Sequence, residues 1–389
     1  MIPVRATTIG DRLAVLSARG PGFDQIRLAA ALVVVGHHAW WGVNDVLYRF
    51  SGGFIQLGLF AVIIFFCVSG FLLAPGLARS GDLVRFGVNR ALRILPALFV
   101  VVITSMFVLG PALTTYSLAE YFGSAELYLY LKNVLTLMSH YLPGVMRHGQ
   151  EVQVNGPLWT LNVEVWSYAV LAALSVAGFL RQRVLTVISF ALVYLAYVGL
   201  ALSPSLRAAC PQRLLDFIGL FVYFIAGTNL YLYRQTIPFS GIGAAVASGF
   251  ALIGLASGMG AVALPLCVPY VVVYLGLSEV TSRVPLKHDL SYGVYLIHSP
   301  VILAFLTVFD LATGWPLALL AGSVSLILAY ASWRFVEAPA LKQKASVSRW
   351  VSSHIARTGS GRGVESEPAA GRHEQSNSLT GTIGAGAAE

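Results

Sequence analysis

A histidine and a glutamate stand in apolar stretches of this chain, where an ionisable group is costly to keep. His38 comes eleven positions after Arg27 in Phe23–Trp41, FDQIRLAAALVVVGHHAWW, and nine of the ten residues from Leu28 to His37 lack a polar side chain. At 1.5 Å per residue, Arg27 at one membrane interface puts His38 roughly 16 Å deeper, past the middle of a hydrocarbon layer about 30 Å thick. An imidazole there can act as a general base near neutral pH; it can equally be a hydrogen-bonded histidine inside a helix bundle. Glu164 lies in Gly156–Tyr168, GPLWTLNVEVWSY, roughly 9 Å below the opposite surface if Trp159 marks the interfacial belt. Depth alone therefore predicts one layer for His38 and Glu164, with the carboxylate orienting the ring and stabilising an imidazolium. Tyr168, at i+4 from Glu164, can help solvate it.

Three weaker groups accompany this pair. Arg90 and Arg93 in Asn89–Pro96, NRALRILP, share a helix face and form a fork suited to phosphate, although a basic flank of a membrane span looks the same. Ser69 and Gly70, in FFCVSGFLL, can line a ligand path or simply let two helices pack closely. Ser291, Tyr295 and His298 recur at helical spacing on one face and can line a cavity, His298 reading more readily as structural. Cys67, Cys210 and Cys267 have neither metal-ligand spacing nor the pattern of a disulfide framework, so no metal is expected. Cys67 has no neighbour to stabilise a thiolate and is a poor candidate nucleophile.

The elements that must position these residues are membrane helices. Hydrophobic residues make up 57% of the chain and charged residues 11%, with a mean hydropathy of +0.75; soluble domains carry about 25% charged residues. The apolar segments lack the alternation of barrel strands, so the fold class is an all-α integral membrane protein. About ten spans are legible, near 27–42, 54–74, 94–113, 157–179, 184–203, 214–233, 239–258, 261–279, 289–309 and 316–337. With both termini cytoplasmic, 20 of the 25 Lys and Arg fall inside, so the net charge of +8 reflects topology rather than nucleic acid. The first twenty residues have no apolar core and read as an uncleaved cytoplasmic segment.

Ala125–Tyr141 is interrupted by Lys132 and Asn133 and reads as an interfacial helix within one long outer loop, Gly110–Gly156. The organisation predicted is a cytoplasmic N-terminal segment at 1–22, a transmembrane domain at 23–340, and a cytoplasmic tail at 341–389. The tail's Ser, Gly, Ala, Arg and Glu composition predicts disorder.

In this order, the motifs resemble the acyltransferase-3 family of multi-pass membrane enzymes, over about residues 20–340. The matching features are Arg27, ten residues and His38; Ser69 to Leu72; Arg90 and Arg93 with Pro96; Trp159, Thr160, Leu161, Glu164 and Tyr168; and Ser291 to His298. The resemblance implies transfer of an acyl group, usually acetyl from acetyl-CoA as co-substrate, to a hydroxyl of a saccharide or glycoconjugate in the bacterial inner membrane. It also implies the stand-alone form, without the extracytoplasmic esterase-like domain of some members. His38 and Glu164 would then be catalytic. Arg27, Ser69, Gly70, Arg90 and Arg93 would meet the coenzyme, and Trp159, Tyr168, Ser291, Tyr295 and His298 would line the cavity. Direct transfer and an acyl-His38 intermediate both fit these residues. The competing class is a transporter or flippase for a glycan precursor, although no inverted repeat or pair of broken helices is seen.

Overall fold

The computed structural model describes residues 7–16, 20, 22–41, 45–282 and 286–360. The chain divides into two units after Ser348, and the first contains the whole of the site described below. Ten helices occupy the ten apolar segments: α1 Gly22–Gly36, α2 Leu57–Ser80, α3 Leu83–Thr104, α4 Trp159–Val176, α5 Arg183–Leu202, α6 Gln212–Leu232, α7 Gly241–Ala256, α8 Gly260–Leu277, α9 Ser291–Val308 and α10 Trp315–Ser332. Among the described residues, seven helices are long and apolar enough to cross a membrane. The three that fall short are α1, which carries Asp24, Arg27 and then two histidines; α4, which carries Asn162 and Glu164; and α7, with only 16 residues. Exposed Leu, Ile, Phe and Val side chains cover the outside of the bundle, as at Leu192 and Leu195 of α5. Such a surface suits lipid and is untenable in water.

Local chemistry sets several helix ends. Gly81 closes α2 in the left-handed conformation at φ 61°, and Asp82 caps α3 by accepting from the Arg85 amide at 2.8 Å. Helix α3 thus starts well before the expected span start at Ile94, and Arg90 and Arg93 ride on it, as the shared helix face anticipated. Three helices carry a wide π turn at one end. They are His37–Trp41 after α1, Ser105–Leu109 after α3, and Trp333–Glu337 after α10. Such turns displace side chains from the regular helical stripe and recur at functional sites.

Helices α2 and α6 make the closest crossing in the core. A Cβ on Gly70 would lie 1.9 Å from the Phe224 carbonyl oxygen, and one on Gly227 would lie 2.3 Å from that of Cys67. Gly70 is therefore a packing residue, and its expected part in coenzyme binding is corrected: the backbone of α6 fills the space where a ligand would have to lie. Thr228 Oγ1 reinforces the crossing by donating to the Gly70 carbonyl at 3.2 Å.

The connection between α3 and α4 is folded. It contains Leu118–Gly123 and Ala125–Leu129, a 3₁₀ turn at Tyr130–Leu135, and a two-stranded antiparallel hairpin pairing Met146–Arg147 with Gln150–Glu151. Asn133, buried, stops the helix early by exchanging hydrogen bonds with the backbone of Ser139, so Ala125–Tyr141 is a short helix and turn rather than one long helix. The C-terminal tail also departs from expectation, because Lys344–Ser360 is helical; the tail beyond it lies outside the described residues.

Candidate functional site

Three cavities follow one another through the bundle. The first, about 380 Å³, lies between the end of α2 and the start of α3 and is lined by Arg79, Arg85, Asn89 and Arg90. It shares Leu72, Leu73 and Arg90 with a second of about 100 Å³, which also meets Ser69, Arg27, Arg93, Glu164 and Tyr168. The second shares Val62, Thr160 and Tyr295 with a third of about 410 Å³, where His37, His38, Gln56, Gln153 and Trp159 are found.

Asp289, two residues before α9, organises the middle cavity. Arg27 donates to its Oδ2, and so does Arg93 at 2.5 Å, while Oδ1 accepts from Ser291 Oγ at 2.6 Å and from the Ser291 amide at 3.1 Å. Burial works against ionisation of Asp289, but Arg27 and Arg93 outweigh it and hold the carboxyl well below the usual range. Glu337, buried in the third π turn, lies 3.7 Å from the other arm of Arg93. The two expected phosphate ligands therefore differ. Arg93 is committed to carboxylates, whereas Arg90 forms no ion pair among the described residues and lies with its guanidinium carbon 6.0 Å from the Tyr168 ring centre.

Ser291 was expected beside Tyr295 and His298 in a cavity; it caps Asp289 instead. Nothing in the sequence singles out Asp289, since a lone acid beside Lys287 and His288 looks like a loop flank. Glu337 is equally inconspicuous.

The expected contact between His38 and Glu164 is not formed. Tyr168 donates to Glu164 Oε1, and both line the middle cavity. His38 turns into the third cavity and donates through Nδ1 to the Val34 carbonyl at 2.9 Å. That bond fixes the tautomer, because a carbonyl can only accept, and leaves Nε2 as a lone pair. The sequence argument failed because depth along two helices says nothing about which way each side chain points. Thr160 and Tyr295 lie between them, with hydroxyls 2.6 Å apart; each also reaches the Pro157 carbonyl, at 3.0 and 3.2 Å. His298 is fully buried, with its ring centre 5.1 Å from that of His38, and it donates Nδ1–H to the Tyr295 carbonyl at 2.8 Å.

A histidine of this site that does meet a carboxylate is His37, with Nδ1 3.1 Å from Asp45 Oδ2. No spacing rule points to it, because an offset of eight residues is not one that helix or strand periodicity pairs. The arrangement offers a cation at one end, an unprotonated imidazole nitrogen at the other, and a hydroxyl-lined septum between. It suits transfer of a group carried on an anionic handle to an acceptor beyond the septum.

A family model described as an acyltransferase domain matches residues 21–334. The chain belongs to the acyltransferase-3 family, and it is an acyltransferase. It is 30% identical over 325 residues to a protein of Shigella phage Sf6 named O-acetyl transferase, covering 81% of this chain and 94% of that one. It is 29% identical over 357 residues to Nodulation protein 10 of Rhizobium leguminosarum bv. viciae, covering 84% and 94%. No solved structure matches the chain.

Proposed function

We propose that this enzyme is an O-acetyltransferase of the bacterial inner membrane that moves acetyl from cytoplasmic acetyl-CoA to a hydroxyl of a saccharide or glycoconjugate acceptor. The ten helices span the bilayer with both termini inside, an orientation supported by the charge count along the chain. The observation that carries the reading is the series of three cavities, basic at one end and imidazole-lined at the other. In this orientation the basic end faces the cytoplasm. Arg90 holds a coenzyme phosphate, the pantetheine arm passes Ser69, and the thioester reaches the septum of Thr160 and Tyr295. The relative named O-acetyl transferase supports acetyl as the group and oxygen as the acceptor atom.

The step balances without any further reactant. His38 Nε2 takes the proton of the acceptor hydroxyl as its oxygen forms the ester bond to the acetyl carbon. The carbon–sulfur bond breaks, and the departing thiolate takes the proton from His38 to give CoA thiol. One septum hydroxyl, turning its hydrogen away from the Pro157 carbonyl, would donate to the thioester carbonyl oxygen as charge develops there.

The test is CoA release by the purified protein in nanodiscs, with acetyl-CoA and a panel of methyl glycosides, alongside mass analysis of the glycoside. The wild type should form the acetyl ester, and folded His38→Ala protein should lose about 10²–10⁴-fold in rate. Ester formed by His38→Ala at the wild-type rate would refute the assignment of the base, and no ester from any glycoside with the wild type would refute the acceptor class.

A further inference from the structure

Asp45 is almost fully buried, yet its carboxylate is well supplied with donors. Oδ1 accepts the Tyr48 amide at 3.0 Å, and Oδ2 accepts the Leu57 amide at 2.6 Å and His37 Nδ1 at 3.1 Å. The imidazole it holds lines the third cavity beside His38, with ring centres 5.2 Å apart and planes nearly perpendicular. A substituent at Gly58 would strike this ring, since a Cβ there would lie 2.5 Å from His37 Cδ2. The first turn of α2 thus presses the ring into place while its own first amide helps hold the carboxylate. In the neutral imidazole, with Nδ1–H committed to Asp45, the remaining nitrogen of His37 presents a lone pair to a cavity that also carries Gln56 and Gln153.

We propose that His37 is an acceptor-binding residue, taking a hydrogen bond from a hydroxyl neighbouring the one that His38 deprotonates, with Asp45 as the positioning residue that sets its tautomer. Two neighbouring imidazoles with different partners divide the work. His38 rests on a neutral backbone carbonyl and is free to gain and lose the travelling proton. His37 rests on a carboxylate and keeps one orientation through the cycle. The acceptor that fits bears two adjacent hydroxyls. This rests on the acyl-transfer reading for the reacting hydroxyl, but the binding role of His37 can be tested without turnover.

The experiment has a kinetic arm and a labelling arm. With saturating acetyl-CoA, His37→Ala should raise the KM for a methyl glycoside about tenfold, the worth of one good hydrogen bond, and leave the KM for acetyl-CoA unchanged. It should also erase the preference of the wild type for the glycoside over its monodeoxy analogue. His37→Gln, whose amide oxygen can accept, should recover part of the affinity. Asp45→Ala should lose it, because no acceptor then holds the proton on Nδ1.

In the labelling arm, diethyl pyrocarbonate should modify His37 of the intact wild type, and 100 mM of the methyl glycoside should protect it. An unchanged glycoside KM in folded His37→Ala, an equal loss for the deoxy analogue, or labelling of His37 indifferent to glycoside would each overturn the proposal. A wild type that transfers nothing to glycosides refutes only the saccharide as acetyl acceptor; glycoside protection of His37 then still decides the binding role.

Discussion

Replacing Asp289 with alanine removes the one anion shared by two arginines of the middle cavity. Arg27 and Arg93 are left with side chains only 20% and 15% exposed, and breaking a buried ion pair costs about 3–5 kcal/mol. Arg93 keeps Glu337 at 3.7 Å, which places the cost near the lower end, about 3 kcal/mol. Each kcal/mol is worth about 2–4 °C in a domain of 150–250 residues and less in a longer one. The unfolding midpoint of Asp289→Ala in detergent at neutral pH should therefore fall by about 5 °C. Inorganic phosphate should recover part of that loss, because an anion binding only the folded variant stabilises it by mass action. Tryptophan fluorescence on heating reads both effects. An Asp289→Ala midpoint within about 1 °C of wild type, with or without phosphate, refutes the reasoning. The pH dependence follows from the same carboxyl, whose folded value is depressed. Its contribution is fully present above the ordinary value near 4 and is lost as pH falls through the folded one. The stability gap between wild type and Asp289→Asn should stay level from about pH 8 to 5 and narrow only below about pH 4.

Arg90→Ala should raise the KM for acetyl-CoA about tenfold with an unchanged unfolding midpoint, and lysine should restore part of it, since a point charge lacks the guanidinium fork. Arg93→Ala should instead lower the midpoint, because it strips Asp289 and Glu337 of a partner; equal kinetic and thermal effects in both variants would contradict the distinction. Glu164→Gln should act on the acetyl-CoA side, raising its KM and sparing that of the acceptor, and the reverse pattern in steady-state kinetics would return Glu164 to the side of His38. Gly70→Ala should cost about 3 kcal/mol or more through the clash with α6, which expression level and detergent melting report; a well-folded Gly70→Ala would contradict the crossing geometry.

The helices were legible because each apolar run is long and its ends carry Gly, Asp or Pro. The helices that fall short of the span criteria are instructive: α1 and α4 owe their weaker apolar character in part to Arg27 and Glu164, both of which line the middle cavity. Arg27, Arg90, Glu164 and Tyr168 were named from their types, their spacing and the family resemblance, and the structure brings them to one cavity. Asp289 was illegible because its partners Arg27 and Arg93 lie far away along the chain, and Asp45 because its offset from His37 matches no regular period; a single sequence records neither distance nor direction. Gly70 illustrates the opposite error: its position within a motif suggested a ligand, and only the neighbouring helix shows that it exists to be small.

The hydrogen bond between Thr160 and Tyr295 also bears on the cell's energy supply. A bundle with an aqueous chamber at each end is one thin partition away from being a leak, and a leak for protons would discharge the gradient across the membrane that holds it. Here the partition is a pair of hydroxyls already satisfied by each other and by the Pro157 carbonyl, with Val62 beside them. A file of water has little to bond to at that point, so the same pair of hydroxyls that divides the two cavities also interrupts any path for protons.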